Sequence, residues 1–136
     1  MKDVKFLEHK ADVKFQARGE TLEKAFEKSA LAMFYSMYEK SVASDLNRHI
    51  EVGGKDLESL LYNFLEELLF LLDAENFFVS EIKVKINQEK FKLEADVFGD
   101  DAGKYPIGLD VKAVTYNQMF VKREEGKWIC QVVLDV

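Results

Sequence analysis

The stretch Asp56-Leu57-Glu58-Ser59-Leu60-Leu61-Tyr62-Asn63-Phe64-Leu65-Glu66-Glu67-Leu68-Leu69 decides the fold. Its apolar residues Leu57, Leu60, Leu61, Phe64, Leu65, Leu68 and Leu69, continued by Leu72, recur at helical spacing. Asp56 stands where an N-cap is wanted, because its short carboxylate can accept from the orphan N–H groups of a first turn. The stripe is wide enough to lie between a sheet and a second helix. From Phe77 onward the period drops to two. Val79/Ile82/Val84/Ile86, Phe91/Leu93/Ala95/Val97, residues 113–121 and residues 128–134 read as four antiparallel strands.

Towards the other end, Thr21 is a second N-cap, followed by Leu22, Ala25, Phe26, Ser29, Ala30, Met33, Phe34 and Met37 at helical spacing. Before it, Val4 and Phe6, then Val13, Phe15 and Ala17, alternate with polar residues and read as two strands broken at 9–11. Arg18-Gly19-Glu20 is a turn. A short strand, 48–52, closes at Gly53-Gly54, and 99–103 reads as a loop with the sole proline, Pro106, just beyond it. The expected architecture is one domain over 1–136 of the α+β class. It is a two-layer sandwich in which two long helices pack on one face of a mostly antiparallel sheet. Adjacent pairing of the first and last strands would bring Asp12 near Asp135.

Composition narrows the function. With 136 residues, 48% hydrophobic and 32% charged, the chain is long enough for a real core and too apolar for disorder. No apolar run approaches the ~20 residues that cross a bilayer, and the opening Met1-Lys2-Asp3-Val4-Lys5 carries no signal segment, so a cytoplasmic protein is expected. The single cysteine, Cys130, fits a reducing compartment. A net charge of -6 with dispersed lysines disfavours stable direct binding to nucleic acid. It suits a cation or a basic protein partner better.

The chemistry-bearing residues are few. Cys130 lies mid-strand in an apolar run, and neither His9 nor His49 falls into a triad order, so no catalytic residue is assigned. One cysteine and two separated histidines cannot make a closed four-ligand zinc site. No phosphate-binding glycine motif occurs; Gly53-Gly54-Lys55 is a turn. Asp100 and Asp101 read as solvated loop acids. Asp135 is different, because a carboxylate closing an apolar strand is costly unless something charged meets it. With Asp12 and the terminal carboxylate of Val136 it could form an all-oxygen cluster, suited to calcium, magnesium or manganese. From the residues alone a second reading stays open, in which Asp12 caps a turn and Asp135 frays into water.

Five segments together resemble one family. His9-Lys10-Ala11-Asp12 before a strand is similar to the H-T-A-D segment of the archeases. Residues 19–26 and 56–69 resemble the two helix signatures of that family. Lys112-Ala113-Val114-Thr115-Tyr116 and Val133-Leu134-Asp135-Val136 complete the match in order. The resemblance implies a non-enzymatic activator of an RtcB-type RNA-splicing ligase, promoting the ligase's guanylylation and turnover. It further implies a divalent cation, calcium foremost, with magnesium or manganese as alternatives, held by Asp12, Asp135 and Val136. His9 and Lys112 are secondary candidates for partner contact. A monomer or weak homo-oligomer is expected. Lys10 and Asn117 depart from the family pattern, which commonly has threonine and histidine there. Two other classes stand beside this one: a small metal-dependent hydrolase using the same carboxylates, and a general chaperone-like interaction protein.

Overall fold

The computed structural model describes residues 1–8 and 12–136. In chain order its elements are β1 (Val4–Leu7), β2 (Asp12–Gly19), α1 (Leu22–Met37), β3 (Leu46–Gly53), α2 (Leu57–Glu75), β4 (Phe77–Asn87), β5 (Lys92–Asp101), β6 (Ala113–Glu124) and β7 (Lys127–Asp135). Both expected caps are in place. The Thr21 hydroxyl accepts from the Lys24 N–H at 3.1 Å. Asp56 Oδ1 accepts from the Ser59 N–H at 2.7 Å while Ser59 Oγ accepts from the Asp56 N–H, a reciprocal box that satisfies two orphan donors. Asn76 ends α2 in the left-handed conformation.

The α+β class is as expected, and the strands divide between two antiparallel sheets, ordered β1-β2-β7-β6 and β3-β5-β4. Both helices pack against both sheets: α1 against β2, β7 and β4, α2 against β6, β3 and β4. The reason lies in the width of their apolar stripes, which exceed what one sheet can cover. Phe15, Val132 and Leu134 from the first sheet meet Ile82, Val84 and Val97 from the second in one core. At its centre the rings of Phe26 and Phe64 stack with centroids 5.9 Å apart.

The helices also close two sheet edges. β4 and β6 are edge strands, whose unpaired N–H groups invite pairing with another chain. Glu27 of α1 accepts from the Val84 N–H at 2.9 Å, and Glu66 and Glu58 of α2 accept from the Val114 and Val121 N–H groups, each at 3.3 Å. Val84 is buried, so Glu27→Ala strands its amide. The expected cost is about 1–2 kcal/mol, read as a lower urea midpoint at unchanged slope. A wild-type midpoint in that variant would show that water replaces the carboxylate.

Two local expectations are corrected. The first and last strands are not neighbours: β1 pairs only with β2, and β2 pairs with β7. The four residues of β1 form an edge, whereas β2 aligns eight positions with β7 and buries Phe15 and Ala17 in the core. Nor is 99–103 a loop throughout, since β5 continues to Asp101 and a 3-10 turn follows at Ala102–Lys104. Asp100 is 3% exposed rather than a solvated turn acid. It accepts from the Tyr105 hydroxyl at 2.7 Å and from the Asp101 N–H at 2.8 Å, and it meets Lys104 Nζ at 3.3 Å. The Tyr105 hydrogen bond foremost holds its carboxyl below the usual carboxylate range. Tyr105 in turn accepts from the Ala43 N–H, so this acid pins two loops together.

Candidate functional site

The β2/β7 register runs from Asp12 opposite Asp135 to Gly19 opposite Trp128. Directly opposed residues of an antiparallel pair project from the same face. Val13/Leu134, Phe15/Val132 and Ala17/Cys130 take the inner face, which leaves Asp12/Asp135, Lys14/Val133 and Gln16/Gln131 on the outer one. Across β7, β6 places Ala113 opposite Asp135 and Thr115 opposite Val133. Asp135 therefore stands between the carboxylate of Asp12 and a bare methyl. Asp12 is half-buried and Asp135 exposed.

The backbone at this corner is held firmly. The Lys112 N–H donates to the Asp135 carbonyl at 2.8 Å, just where β6 begins, and the Lys112 residue itself is exposed. Val136 is half-buried and packs on the core. Of the five residues selected from sequence, Asp12, Asp135, Val136 and Lys112 thus share one corner of the first sheet. His9 lies outside the described residues, as does Lys10.

Below the aspartates the same face carries Val133 beside a hydrogen-bonded set of polar side chains. Gln131 is the one polar residue in the run 128–134, a signal that the outer face needed it. Gln16 Nε2 donates to Gln131 Oε1 at 2.8 Å, and Gln131 Nε2 donates to the Gln118 carbonyl at 2.8 Å. Lys14 Nζ donates to Gln118 Oε1 at 2.6 Å. β6 loses register with β7 between Thr115 and Phe120, and Gln118 is left-handed there, so its carbonyl reaches back over the sheet. Gln131 is buried as a result, with its amide satisfied on both sides. The neighbouring Tyr116 ring, 54% exposed, stacks on Tyr62 of α2 at 4.2 Å and 9°. Cys130 faces inward, and burial pushes its thiol up to about 12, so no thiolate is offered.

A second set of ionisable side chains lies on the other sheet, where sequence reading gathered none. His49, Glu51 and Glu94 come together across β3 and β5. The His49/Glu51 spacing of two residues puts both on one strand face, which was legible; the cross-strand register that adds Glu94 was not.

Asp12 and Asp135 stand opposite one another at paired strand ends of an α+β domain, built from two helices and two antiparallel sheets. The chain belongs to the Archease protein family (MTH1598/TM1083), whose model matches residues 5–136. It is 41% identical over 142 residues to protein archease of Pyrococcus furiosus, with 100% of each chain covered. The solution structure of Methanobacterium thermoautotrophicum protein 1598 superposes with a TM-score of 0.86 at 35% identity, covering 100% of both chains. A Thermotoga maritima protein, described as an archease and possible chaperone, shares the fold with a TM-score of 0.67 at 17% identity, over 96% of this chain and 94% of that one.

Proposed function

We propose that this protein activates an RtcB-type RNA-splicing ligase, with its working surface at the corner formed by Asp12, Asp135, Val136 and Lys112. The observation that supports this most is the register that sets Asp12 directly across from Asp135. Two carboxylates on one sheet face, with Val136 next in the chain to offer main-chain or terminal carboxylate oxygen, are hard donors that fit calcium, and less strictly magnesium or manganese. A calcium ion takes 6–8 oxygens, more than these residues supply, so further positions fall to water or to a partner. Such an ion would supply positive charge beside the two carboxylates. The chain's own residues fix where that corner lies: β2 and β7 hold the two carboxylates, and the Lys112 amide locks the start of β6 beside them.

The test is ligase guanylylation and multiple turnover with the wild type, Asp12→Ala and Asp135→Ala. Loss of most stimulation by variants with native circular dichroism is the expected result. Full stimulation by both folded variants sinks this assignment, and stimulation of unrelated client proteins instead would favour a general chaperone role.

A further inference from the structure

The outer face of the β3-β5-β4 sheet carries the second ionisable set. Ile50, Leu93, Ala95 and Val97 point into the core, so His49 and Glu51 of β3 and Glu94 and Asp96 of β5 point out. The register opposes His49 to Asp96 and Glu51 to Glu94. Two carboxylates directly opposed across a ladder repel one another. The neighbouring strand sets Lys85 opposite Glu94 and Lys83 opposite Asp96, yet no ion pair forms between them among the described residues.

The imidazole is oriented as a donor. His49 Nδ1 lies 2.9 Å from Asp96 Oδ1. An ionised carboxylate only accepts, so Nδ1 carries the proton and the lone pair of neutral imidazole sits on Nε2. Nε2 faces Glu94, whose Oε2 is 3.9 Å away. One ligand atom from each of His49, Glu51 and Glu94 falls within 4.8 Å of the others. Around an ion with bonds of about 2.1 Å, ligand atoms sit roughly 3–4 Å apart, so small rotations of exposed side chains close the set. A depression of about 310 Å³, lined in part by His49, Glu94 and Asp96, leaves room for water on the open side.

We propose that His49, Glu51 and Glu94 form an open three-ligand site for a borderline divalent transition ion of the zinc or cobalt class, with Asp96 as the carboxylate that orients the imidazole. The donor set separates this site from the Asp12/Asp135 corner. A nitrogen donor with two carboxylates selects ions of the zinc, cobalt and nickel group, whereas an all-oxygen corner selects calcium. The carboxylate–histidine arrangement is the one that fixes tautomer and ring direction in metal sites. Bound there, the ion would also staple β3 to β5 and neutralise the opposed pair Glu51/Glu94.

The experiment is isothermal titration of the chelator-treated protein with zinc chloride, in saturating calcium so that the all-oxygen corner is occupied. A one-to-one isotherm is expected. His49→Ala should abolish it, and Asp96→Asn, which keeps all three ligands, should weaken it by about tenfold to a hundredfold. Asp12→Asn with Asp135→Asn should leave it unchanged, which keeps this inference separable from the proposed function. Cobalt should perturb amide resonances centred on β3 and β5. Absence of zinc binding at millimolar ion, wild-type affinity in His49→Ala, or a perturbation centred on β2 and β7 would each overturn the assignment.

Discussion

Gly99→Ala is expected to cost about 3 kcal/mol, at the upper end of what added core bulk does. A Cβ on Gly99 would overlap the Phe78 carbonyl oxygen, lie 2.9 Å from its carbonyl carbon and touch Phe77 Cε1 at 3.0 Å. The obstacle is backbone on the adjacent strand, so no rotamer relieves it. Gly99 sits opposite Val79 of β4 and Leu46 of β3, beside the irregularity between Val79 and Glu81. Pushing β4 away there disturbs pairing on both sides of the central strand. For a domain of this size the loss corresponds to a fall in Tm of roughly 10 °C by circular dichroism. Gly108→Ala is the control, because nothing lies within 4 Å of its added carbon. That change should be neutral or stabilising by about 0.4–1 kcal/mol through the unfolded chain. Equal melting of Gly99→Ala and wild type would mean that β4 and β5 separate without cost.

The same glycine marks where sequence reading reached its limit. Glycine followed by two aspartates has the composition of a solvated turn, and the turn was expected at 99–103 for that reason. What outweighs composition is the close approach of Phe78 and the hydroxyl of Tyr105, which makes Asp100 a satisfied buried acceptor. Neither contact has a local signature. The helices were legible because each signal lies within a few residues: Thr21 and Asp56 as caps, and leucine and phenylalanine at helical spacing. The division of strands between two sheets was not. Period-two alternation reports which side of a strand is buried, but not which strand is its neighbour.

The candidate corner shows the same boundary. Asp135 was conspicuous in sequence because it closes an apolar run, and Asp12 because it opens an alternating one. Their juxtaposition was expected from pairing of the first and last strands. It arises instead from β2, with β1 displaced to the edge. Lys112 was selected as a side chain, yet the contact the structure gives it at the corner is a backbone one, through its amide to the Asp135 carbonyl. Unusual residue types stand out in a sequence, whereas a contribution made by main chain has no residue type to mark it.

Calcium is expected to raise the Tm of the wild type and to leave Asp12→Asn and Asp135→Asn unmoved. A ligand bound only by the folded state stabilises it by about 2.7 kcal/mol at a hundredfold excess over its Kd. At about 3–4 °C per kcal/mol for a chain of this length, that is a rise of roughly 8–10 °C, growing with the logarithm of calcium concentration. The unfolded chain cannot compete, because Asp12 and Asp135 are separated by nearly the whole sequence and meet only through the β2/β7 register. Magnesium should give a smaller rise, since it demands near-octahedral geometry and gives up water reluctantly. His49→Ala should keep the calcium response, because its imidazole belongs to the other sheet. Equal rises in wild type and both aspartate variants would place calcium elsewhere, and a flat wild-type curve would leave the two carboxylates to act on a partner without an ion.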